Sequence, residues 1–199
     1  MCVLYTNEHM AETTQETGGV QLQGRFVVPG VVATHFHIRE GDTVADFGAG
    51  SGYFLDVLAC LVGEEGVVYA CEIQKDLVEK LGNTARSKGL SQVSPLWGDL
   101  EEIGGTKIPE GVLDVAMLVN TFFQLEDKQT SLQEVIRTMR SGGKFFLVDW
   151  SESFGGLGPQ PDAVVTEQMA KDYCEQEGLI FERSFDAGDH HYGLAFRKP

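Results

Sequence analysis

Basic residues are scarce in this chain of 199 residues. Fifteen Lys and Arg stand against thirty Asp and Glu, which gives a formal net charge of −15 at pH 7. Proteins that bind DNA or RNA usually carry a basic face, because Lys and Arg neutralise the phosphate backbone. The charge balance therefore makes a large nucleic acid a poor candidate for a substrate.

Long apolar runs are also missing. No run approaches the ~20 apolar residues of a membrane-spanning helix, and the first two dozen residues lack the basic and apolar stretches of a secretory or transit peptide. The expectation is a soluble, cytoplasmic protein without a membrane span. The four cysteines show no C-x-x-C spacing, and no metal site is predicted.

A glycine-rich turn stands out against this background. Residues 43–52 read TVADFGAGSG, a short apolar strand that ends at an acid and runs into alternating glycines. Glycine adopts backbone conformations closed to other residues, and bare N–H groups at a helix start can meet a carboxylate or a phosphate. The G-x-G-x-x-G fingerprint of dinucleotide folds is broken, because Tyr53 occupies the place of its third glycine. The pattern predicts a nucleotide-cofactor loop and argues against NAD.

The loop resembles motif I of the class I S-adenosylmethionine (SAM)-dependent methyltransferases, and three later segments match that family in order. Glu72 ends the second predicted strand, Asp99 follows the third, and Asn120 closes the fourth. By this resemblance, Glu72 binds the two ribose hydroxyls of SAM and Asp99 accepts a hydrogen bond from the adenine amino group. The strand before Asn120 flanks the methionine part of the cofactor. The resemblance covers roughly residues 26–199.

The resemblance implies SAM as the cofactor, S-adenosylhomocysteine as its product, and a set of cofactor contacts. That set is Asp46, Phe47, Gly48, Ala49, Gly50, Gly52, Tyr53, Glu72, Ile73, Gly98, Asp99, Leu100 and Asn120. The alternative for each acid is an ordinary turn or helix-cap residue. Residues 108–114 and 120–127 most resemble the methyltransferase type 11 group, which includes the ubiquinone and menaquinone C-methyltransferases. Phe123 and Gln124 stand where many members of that group carry histidine, so their catalytic assignment does not carry over.

Strand and helix patterns alternate along the chain. Helices are predicted over residues 51–62, 75–87, 127–140 and roughly 166–177. The alternation predicts an α/β fold with a doubly wound, Rossmann-like sheet covered by helices on both faces. The family resemblance adds seven strands, mostly parallel with the last antiparallel. We expect a methyltransferase domain over residues 25–199 and a flexible N-terminal arm over residues 1–24.

Candidate catalytic residues lie in the second half of the sequence. Ligands of such sheets bind beyond the carboxyl ends of the strands, which is where Asp149, His190 and His191 are expected. A histidine or carboxylate there could take a proton from a phenol, an activated carbon or an amine. Adjacent strand residues point to opposite faces, so at most one of the two histidines should point inward. A solvated hairpin turn is the alternative, and the loop over residues 151–164 is either a lid or a plain connection.

The predicted function is methyl transfer from SAM to a small-molecule acceptor. Two alternatives stay open. One is a SAM-binding regulatory or assembly protein without transferase activity, because fold and cofactor loop do not by themselves establish chemistry. The other is a protein methyltransferase whose acidic surface recruits a basic partner. The sequence indicates no oligomeric state.

Overall fold

The computed structural model describes residues 26–156 and 158–199, and a seven-stranded sheet forms its centre. The strands are β1 (Thr43–Phe47), β2 (Val67–Glu72), β3 (Val93–Trp97), β4 (Leu113–Val119), β5 (Met139–Trp150), β6 (Ile180–Phe185) and β7 (His191–Arg197). They lie in the order β3-β2-β1-β4-β5-β7-β6. The first five pair in parallel, and β7 runs antiparallel to both of its neighbours. This confirms the predicted fold; the expected arm over residues 1–24 lies outside the described residues.

Five helices and three short 3-10 turns connect the strands over the described part of the chain. The helices are α1 (Pro29–Val32), α2 (Leu55–Val62), α3 (Lys75–Lys88), α4 (Lys128–Thr138) and α5 (Glu167–Gln176). Local chemistry explains two of their starts: the side chain of Asp127 accepts from Thr130 N before α4, and that of Thr166 from Met169 N before α5. None of these helices has the length and apolar character that a membrane crossing requires.

Two predicted helix boundaries are wrong. The helix expected over residues 51–62 begins only at Leu55, because the glycine-rich residues before it form turns. The helix expected over residues 127–140 ends at Thr138, and the next residues already belong to β5. That strand pairs Met139 with Leu113 and then shifts register around the glycine pair at 142–143. The apolar stripe of α4 continued into the strand, so periodicity alone did not mark the transition.

Each face of the sheet packs its own apolar cluster. Alternate residues of β5 divide between them, since Phe145 and Leu147 belong to one cluster and Phe146 to the other. Helix α2 contributes Leu58 to the second cluster, and α4 contributes Leu132 to the first. Because β1 to β5 pair in parallel between these two clusters, their carboxyl ends emerge at one edge, where the candidate site lies.

Candidate active site

A cavity of about 410 Å³ lies at the carboxyl ends of β1, β2 and β4 and beside the segment that follows β3. Three acids line it, namely Glu72, Asp99 and Glu101, and none of the described residues that line it is Lys, Arg or His. The other lining residues are Phe47, Gly48, Gly50, Cys71, Ile73, Gln74, Leu77, Gly98, Leu100, Val119, Asn120, Thr121, Gln124 and Leu125. This composition favours a cationic ligand over a pyrophosphate.

The glycine loop after β1 forms one wall. Gly48 has φ +75°, and a Cβ built there would lie 2.4 Å from Thr121 Oγ1, so a side chain is excluded by both conformation and space. The Gly48 N–H donates to Cys71 O at 2.9 Å, which fixes the loop on the end of β2. At Gly50 a Cβ would meet only Gly48 O, at 3.9 Å. The loop is therefore tightly packed at Gly48 and open at Gly50, where a ligand can approach bare backbone.

Glu72 joins this loop to the start of α3. Its Oε2 accepts from Gly50 N at 3.0 Å, and its Oε1 accepts from Gln74 N at 2.9 Å. A carboxylate offers about four acceptor sites, so each oxygen can take one further hydrogen bond. The side chain lines the cavity while being nearly buried. Its geometry fits a pair of ligand hydroxyl groups.

Asp99 lies at the turn that follows β3. Its Oδ1 accepts from Glu101 N at 2.8 Å, and its own N–H donates to Gly105 O at 3.2 Å. The preceding residue must be glycine, because a Cβ on Gly98 would stand 2.7 Å from Thr106 Cα. The segment over residues 98–108 thus folds back on itself. This folding fixes the Asp99 carboxylate at the cavity wall.

Asp46 lies beneath the glycine loop and is 4% exposed, outside the cavity lining itself. Burial, and secondarily the neighbouring Glu72 carboxylate, raise the pKa of Asp46 to about 7. Two adjacent carboxylates of this kind repel each other when both are ionised. A positively charged ligand above them would reduce that repulsion.

Asn120 follows β4 with φ +53°, a left-handed conformation that Asn tolerates better than most residues. Its N–H donates to Val148 O at 2.9 Å, while its side-chain Oδ1 is buried with no partner among the described residues. An unpaired buried acceptor costs free energy unless a donor completes it. With the glycine loop and the acids, this residue completes a set that fits a nucleoside ligand bearing amino and hydroxyl donors.

Several of the sequence-predicted cofactor residues meet at this cavity. They are Phe47, Gly48, Gly50, Glu72, Ile73, Gly98, Asp99, Leu100 and Asn120. Outside its lining lie Asp46, Ala49, Gly52 and Tyr53. A Cβ on Gly52 would approach Leu81 Cδ2 to 2.8 Å, so this glycine serves close packing on α3. Tyr53 is 64% exposed and donates its hydroxyl to Val27 O at 3.1 Å.

Sequence reasoning missed the other residues of the lining. They are Cys71, Gln74, Leu77, Glu101, Val119, Thr121, Gln124 and Leu125. Most of them adjoin a predicted residue, and the rule that ligands lie beyond strand ends could have included them. Gln124 and Leu125 come from the 3-10 turn after β4 and its end. The family resemblance marks Gln124 only as a departure from histidine and does not include it among the cofactor contacts.

Asp149, at the end of β5, does not line the cavity. The side chain is fully buried; its Oδ2 accepts from Phe123 N at 2.9 Å and its Oδ1 from Trp150 N at 2.8 Å. Burial raises the pKa of Asp149 to about 6, although these backbone hydrogen bonds and Lys128 oppose the rise. The carboxylate therefore holds the 3-10 turn that carries part of the cavity wall.

His190 and His191 also lie outside the cavity lining, and they have different neighbours. His190 has φ +64°; its Nδ1 is 2.8 Å from Glu152 Oε1, and its ring stacks on Phe154 with centroids 3.8 Å apart. His191 places Nδ1 2.8 Å from Asp189 O, and its Nε2 is buried with no partner in the described residues. Burial lowers the pKa of His191. Each imidazole thus has one local partner at Nδ1.

An aromatic cover, formed by Phe26, Trp150, Phe154 and His190, lies over the ends of β5 and β7. The ring centroid of Phe26 is 6.3 Å from those of Trp150 and Phe154 and 6.1 Å from that of His190. Gly158 of the loop after β5 packs on the indole, since a Cβ there would lie 2.5 Å from Trp150 Cδ2. The hydrogen bond from Tyr53 to Val27 connects this cover to the end of the glycine loop.

The sheet order, the glycine loop and the acidic cavity define a class I, Rossmann-like methyltransferase fold. A family model described as a methyltransferase domain matches residues 38–186, and the chain belongs to this family. A SAM-dependent methyltransferase structure from Aquifex aeolicus superposes with a TM-score of 0.80 and 27% identity, covering 87% of this chain and 91% of that one. The family and the fold imply SAM as the methyl donor.

Curated relatives differ in what their names say they methylate. A protein-L-isoaspartate O-methyltransferase of Fervidobacterium nodosum is 32% identical over 37% of each chain. A ubiquinone/menaquinone biosynthesis C-methyltransferase of Chromobacterium violaceum is 25% identical over 61% of this chain and 48% of its own. The chain spans less than half the length of these relatives. Both small-molecule and protein acceptors thus occur among them.

Proposed function

We propose that the cavity at the ends of β1, β2 and β4 holds SAM and that the methyl acceptor is a small molecule. When bound, SAM supplies a methyl group on a positively charged sulfonium. The observation that carries the proposal is the cavity's lining, with its three acids and no basic side chain among the described residues. A cation gains from such a field, whereas the pyrophosphate of NAD would be repelled.

Named residues divide the binding task. Glu72 accepts hydrogen bonds from the ribose hydroxyls and Asp99 accepts one from the adenine amino group. The buried Oδ1 of Asn120, which lacks a protein partner among the described residues, accepts from a donor at the methionine end. The open side of the loop at Gly50 lets the backbone approach the cofactor. This chain's contribution to the reaction is alignment and exclusion of water, because the donor is already reactive.

The aromatic cover supports a small acceptor. It brings described residues of the N-terminal segment, the loop after β5 and the turn before β7 together at the end of β5. Exposed edges of such rings suit packing against a small planar molecule. The likeness to the quinone C-methyltransferase, over 61% of this chain, agrees with such an acceptor. Where the acceptor must lose a proton, His190 and His191 are the base candidates at this end.

A protein acceptor is the second candidate function. The likeness to the protein-L-isoaspartate methyltransferase favours it, and the net charge of −15 would attract a basic partner.

Transfer of a labelled methyl group separates these candidates. The protein is incubated with methyl-labelled SAM and a cell extract, which is then divided into small molecules and protein; Glu72→Gln is the matched control. We expect label in the small-molecule fraction that the control loses. Label in protein instead would replace the proposed acceptor with the second candidate. SAM binding without label in either fraction would contradict transfer to any acceptor present.

A further inference from the structure

Glu134 of α4 is a fully buried acid outside the cavity lining. Its Oε2 accepts from Gly104 N at 2.7 Å, and its Oε1 accepts from Thr106 N at 3.3 Å and from the Thr106 hydroxyl. All of these donors belong to the segment over residues 98–108 that follows β3. A helix on one side of the molecule thus holds, through a single side chain, the segment that carries Asp99.

Arg137 completes the arrangement. Its Nε lies 2.7 Å from Glu134 Oε2 and its Nη2 lies 2.8 Å from Glu134 Oε1, while Nη2 also donates to Ile108 O at 2.7 Å. Burial acts to raise the pKa of the Glu134 carboxyl, but the hydrogen bonds from Arg137, Thr106 and Gly104 outweigh it and hold the pKa below its usual value. The carboxylate is therefore ionised at neutral pH, with its acceptor sites directed at one loop and one guanidinium.

The loop so held determines where Asp99 lies. Gly105 O accepts from Asp99 N at 3.2 Å, and Gly98 packs against Thr106 so closely that a Cβ would stand 2.7 Å from its Cα. Glu134 binds Gly104 and Thr106, and Gly105 lies between these two residues in the chain. A shift of this segment moves Asp99, because no side chain or gap separates the two parts of the turn.

Stability alone does not account for a buried carboxylate paired with a partly exposed arginine. Taking the Glu134 charge out of water costs much of what its attraction to Arg137 returns, and apolar residues of similar volume are often as good. The pair instead fixes geometry, since a planar guanidinium and a carboxylate orient the groups that bind them. Those groups belong to the segment over residues 98–108, which forms part of the cavity wall.

We propose that Glu134 is a positioning residue that sets the selectivity of the cavity for an adenine base by fixing the Asp99 carboxylate. The inference rests on the proposed function, in which Asp99 accepts from the adenine amino group. Glu134 itself touches no ligand in this account. Its removal should therefore change which base is preferred as well as how tightly the ligand binds.

Calorimetry with two ligands tests this. S-adenosylhomocysteine carries the adenine amino group, and S-inosylhomocysteine carries a carbonyl oxygen in its place. The wild type should prefer the first by about tenfold or more, since it gains a hydrogen bond to a charged group and avoids two opposed acceptors. Glu134→Gln should lower this preference by at least about threefold, because an amide NH₂ would oppose one of the N–H donors. Thr106→Val removes a single hydroxyl donor and should lower it less.

Asp114 provides the matched control. It is also an acid that accepts from a backbone N–H, Thr43 N at 2.9 Å, and pairs with an arginine, Arg140, but it lies at the amino end of β4. Asp114→Asn should reduce the melting temperature and leave the preference between the two ligands unchanged. A preference that Glu134→Gln and Thr106→Val both retain would overturn the inference, as would an equal loss in Asp114→Asn. A wild type that binds neither ligand would instead contradict the proposed function.

Discussion

Two regions along one edge of the sheet use their polar groups differently: the carboxyl ends of β1 to β3, and the place where β5 ends and β7 begins. At β1 to β3 the acids Glu72 and Asp99 line a cavity; Glu72 accepts from backbone N–H groups of the glycine loop and of its own turn, and Asp99 accepts from one of its own turn. At β5 to β7, Asp149 is fully buried against backbone, and His190 is held by Glu152 and Phe154. We interpret the first region as the cofactor site of the proposed function, whereas the observed contacts of the side chains in the second region hold loops together.

The difference teaches what a strand-end polar residue signifies. Such a residue can face a ligand or can satisfy the backbone of the next turn, and both occur in one sheet. At the cofactor end, glycines keep the space above the acids open. At the other end, Trp150, Phe154 and Phe26 fill the space beside the histidines. A neighbouring glycine, more than the acid itself, distinguishes a strand-end acid that faces a cavity from one that only binds the backbone of the next turn.

The largest effect is expected from Gly48→Ala, which should disrupt the cofactor end alone. The alanine would have a φ of about +75° and a Cβ 2.4 Å from Thr121 Oγ1. We expect a loss of about 2 kcal/mol or more in the free energy of unfolding and at least about tenfold weaker SAM binding. Urea unfolding and calorimetry measure the two quantities.

Gly111→Ala is the control for that change. Gly111 has φ +69° with nothing within 4 Å of the added Cβ, so only backbone strain is introduced. Unfolding free energy should fall by about 1 kcal/mol with SAM affinity unchanged. Equal losses of affinity in both variants would show that the glycine loop has no special relation to the ligand.

Asp46→Asn should weaken SAM binding and increase the free energy of unfolding at high pH. The pKa of Asp46 is raised to about 7 from an ordinary value of 3.8, so the folded state holds the proton more tightly than the unfolded state. Wild-type stability must therefore fall as pH rises through that window, by about 1 to 3 kcal/mol. The variant should show a smaller fall, since the raised pKa of Asp149 still contributes to it, and should be the more stable protein at about pH 8, while binding SAM less well.

Urea unfolding at about pH 5 and about pH 8, without ligand, checks this prediction. Asp114→Asn is a suitable comparison, because Asp114 pairs with Arg140 at the amino end of β4, whereas Asp46 lies at the carboxyl end of the neighbouring parallel strand β1. A wild type whose stability does not fall between the two pH values would contradict the raised pKa of Asp46.

Asp149→Asn should produce a smaller effect that distinguishes positioning from proton transfer. The asparagine keeps one acceptor oxygen but turns an NH₂ toward a backbone donor of the turn that Asp149 holds. Because Asn120, Thr121 and Gln124 line the cavity beside this turn, we expect SAM affinity to fall severalfold and stability by about 1 to 2 kcal/mol. Unchanged affinity with abolished methyl transfer would instead identify a catalytic base.

The smallest effect is expected from His190→Gly. Glycine accepts the φ of +64° that His190 holds, so the change removes the ring without adding strain. Phe154 and Glu152 lose a partner, and the loop after β5 should become more susceptible to protease. SAM affinity should stay within about twofold, because His190 is outside the cavity lining. A loss of SAM affinity as large as that expected for Gly48→Ala would contradict the different roles assigned to the two regions.

Much of the fold and of the cofactor end could be predicted from the sequence. Alternating strand and helix patterns predicted the sheet, and glycines next to acids marked the loops at Gly48 and Gly98, where a Cβ has no room. Local sequence carries this information, because backbone conformation decides it. The rule that ligands bind beyond strand ends placed Glu72 and Asp99 at one edge, and the family resemblance supplied their expected roles.

The other end could not be predicted in the same way. Nothing local shows that Asp149 would bind Phe123 N, 26 residues away, or that Glu152 would meet His190, 38 residues away. The role of Glu134 also depends on contacts 28 to 30 residues distant in sequence. Long-range packing sets these partners, so patterns of residue type do not show them.

The most direct test compares two glutamates, one from each end of the sheet edge. Calorimetric titration with SAM is carried out on the wild type, Glu72→Gln and Glu152→Gln, with NAD as the control ligand. Our account predicts wild-type binding of SAM but not NAD, at least about tenfold weaker binding for Glu72→Gln, and affinity within about twofold of wild type for Glu152→Gln. Equal weakening by both substitutions, or a wild type that prefers NAD, would contradict the assignment of the cofactor site to the β1 to β3 end.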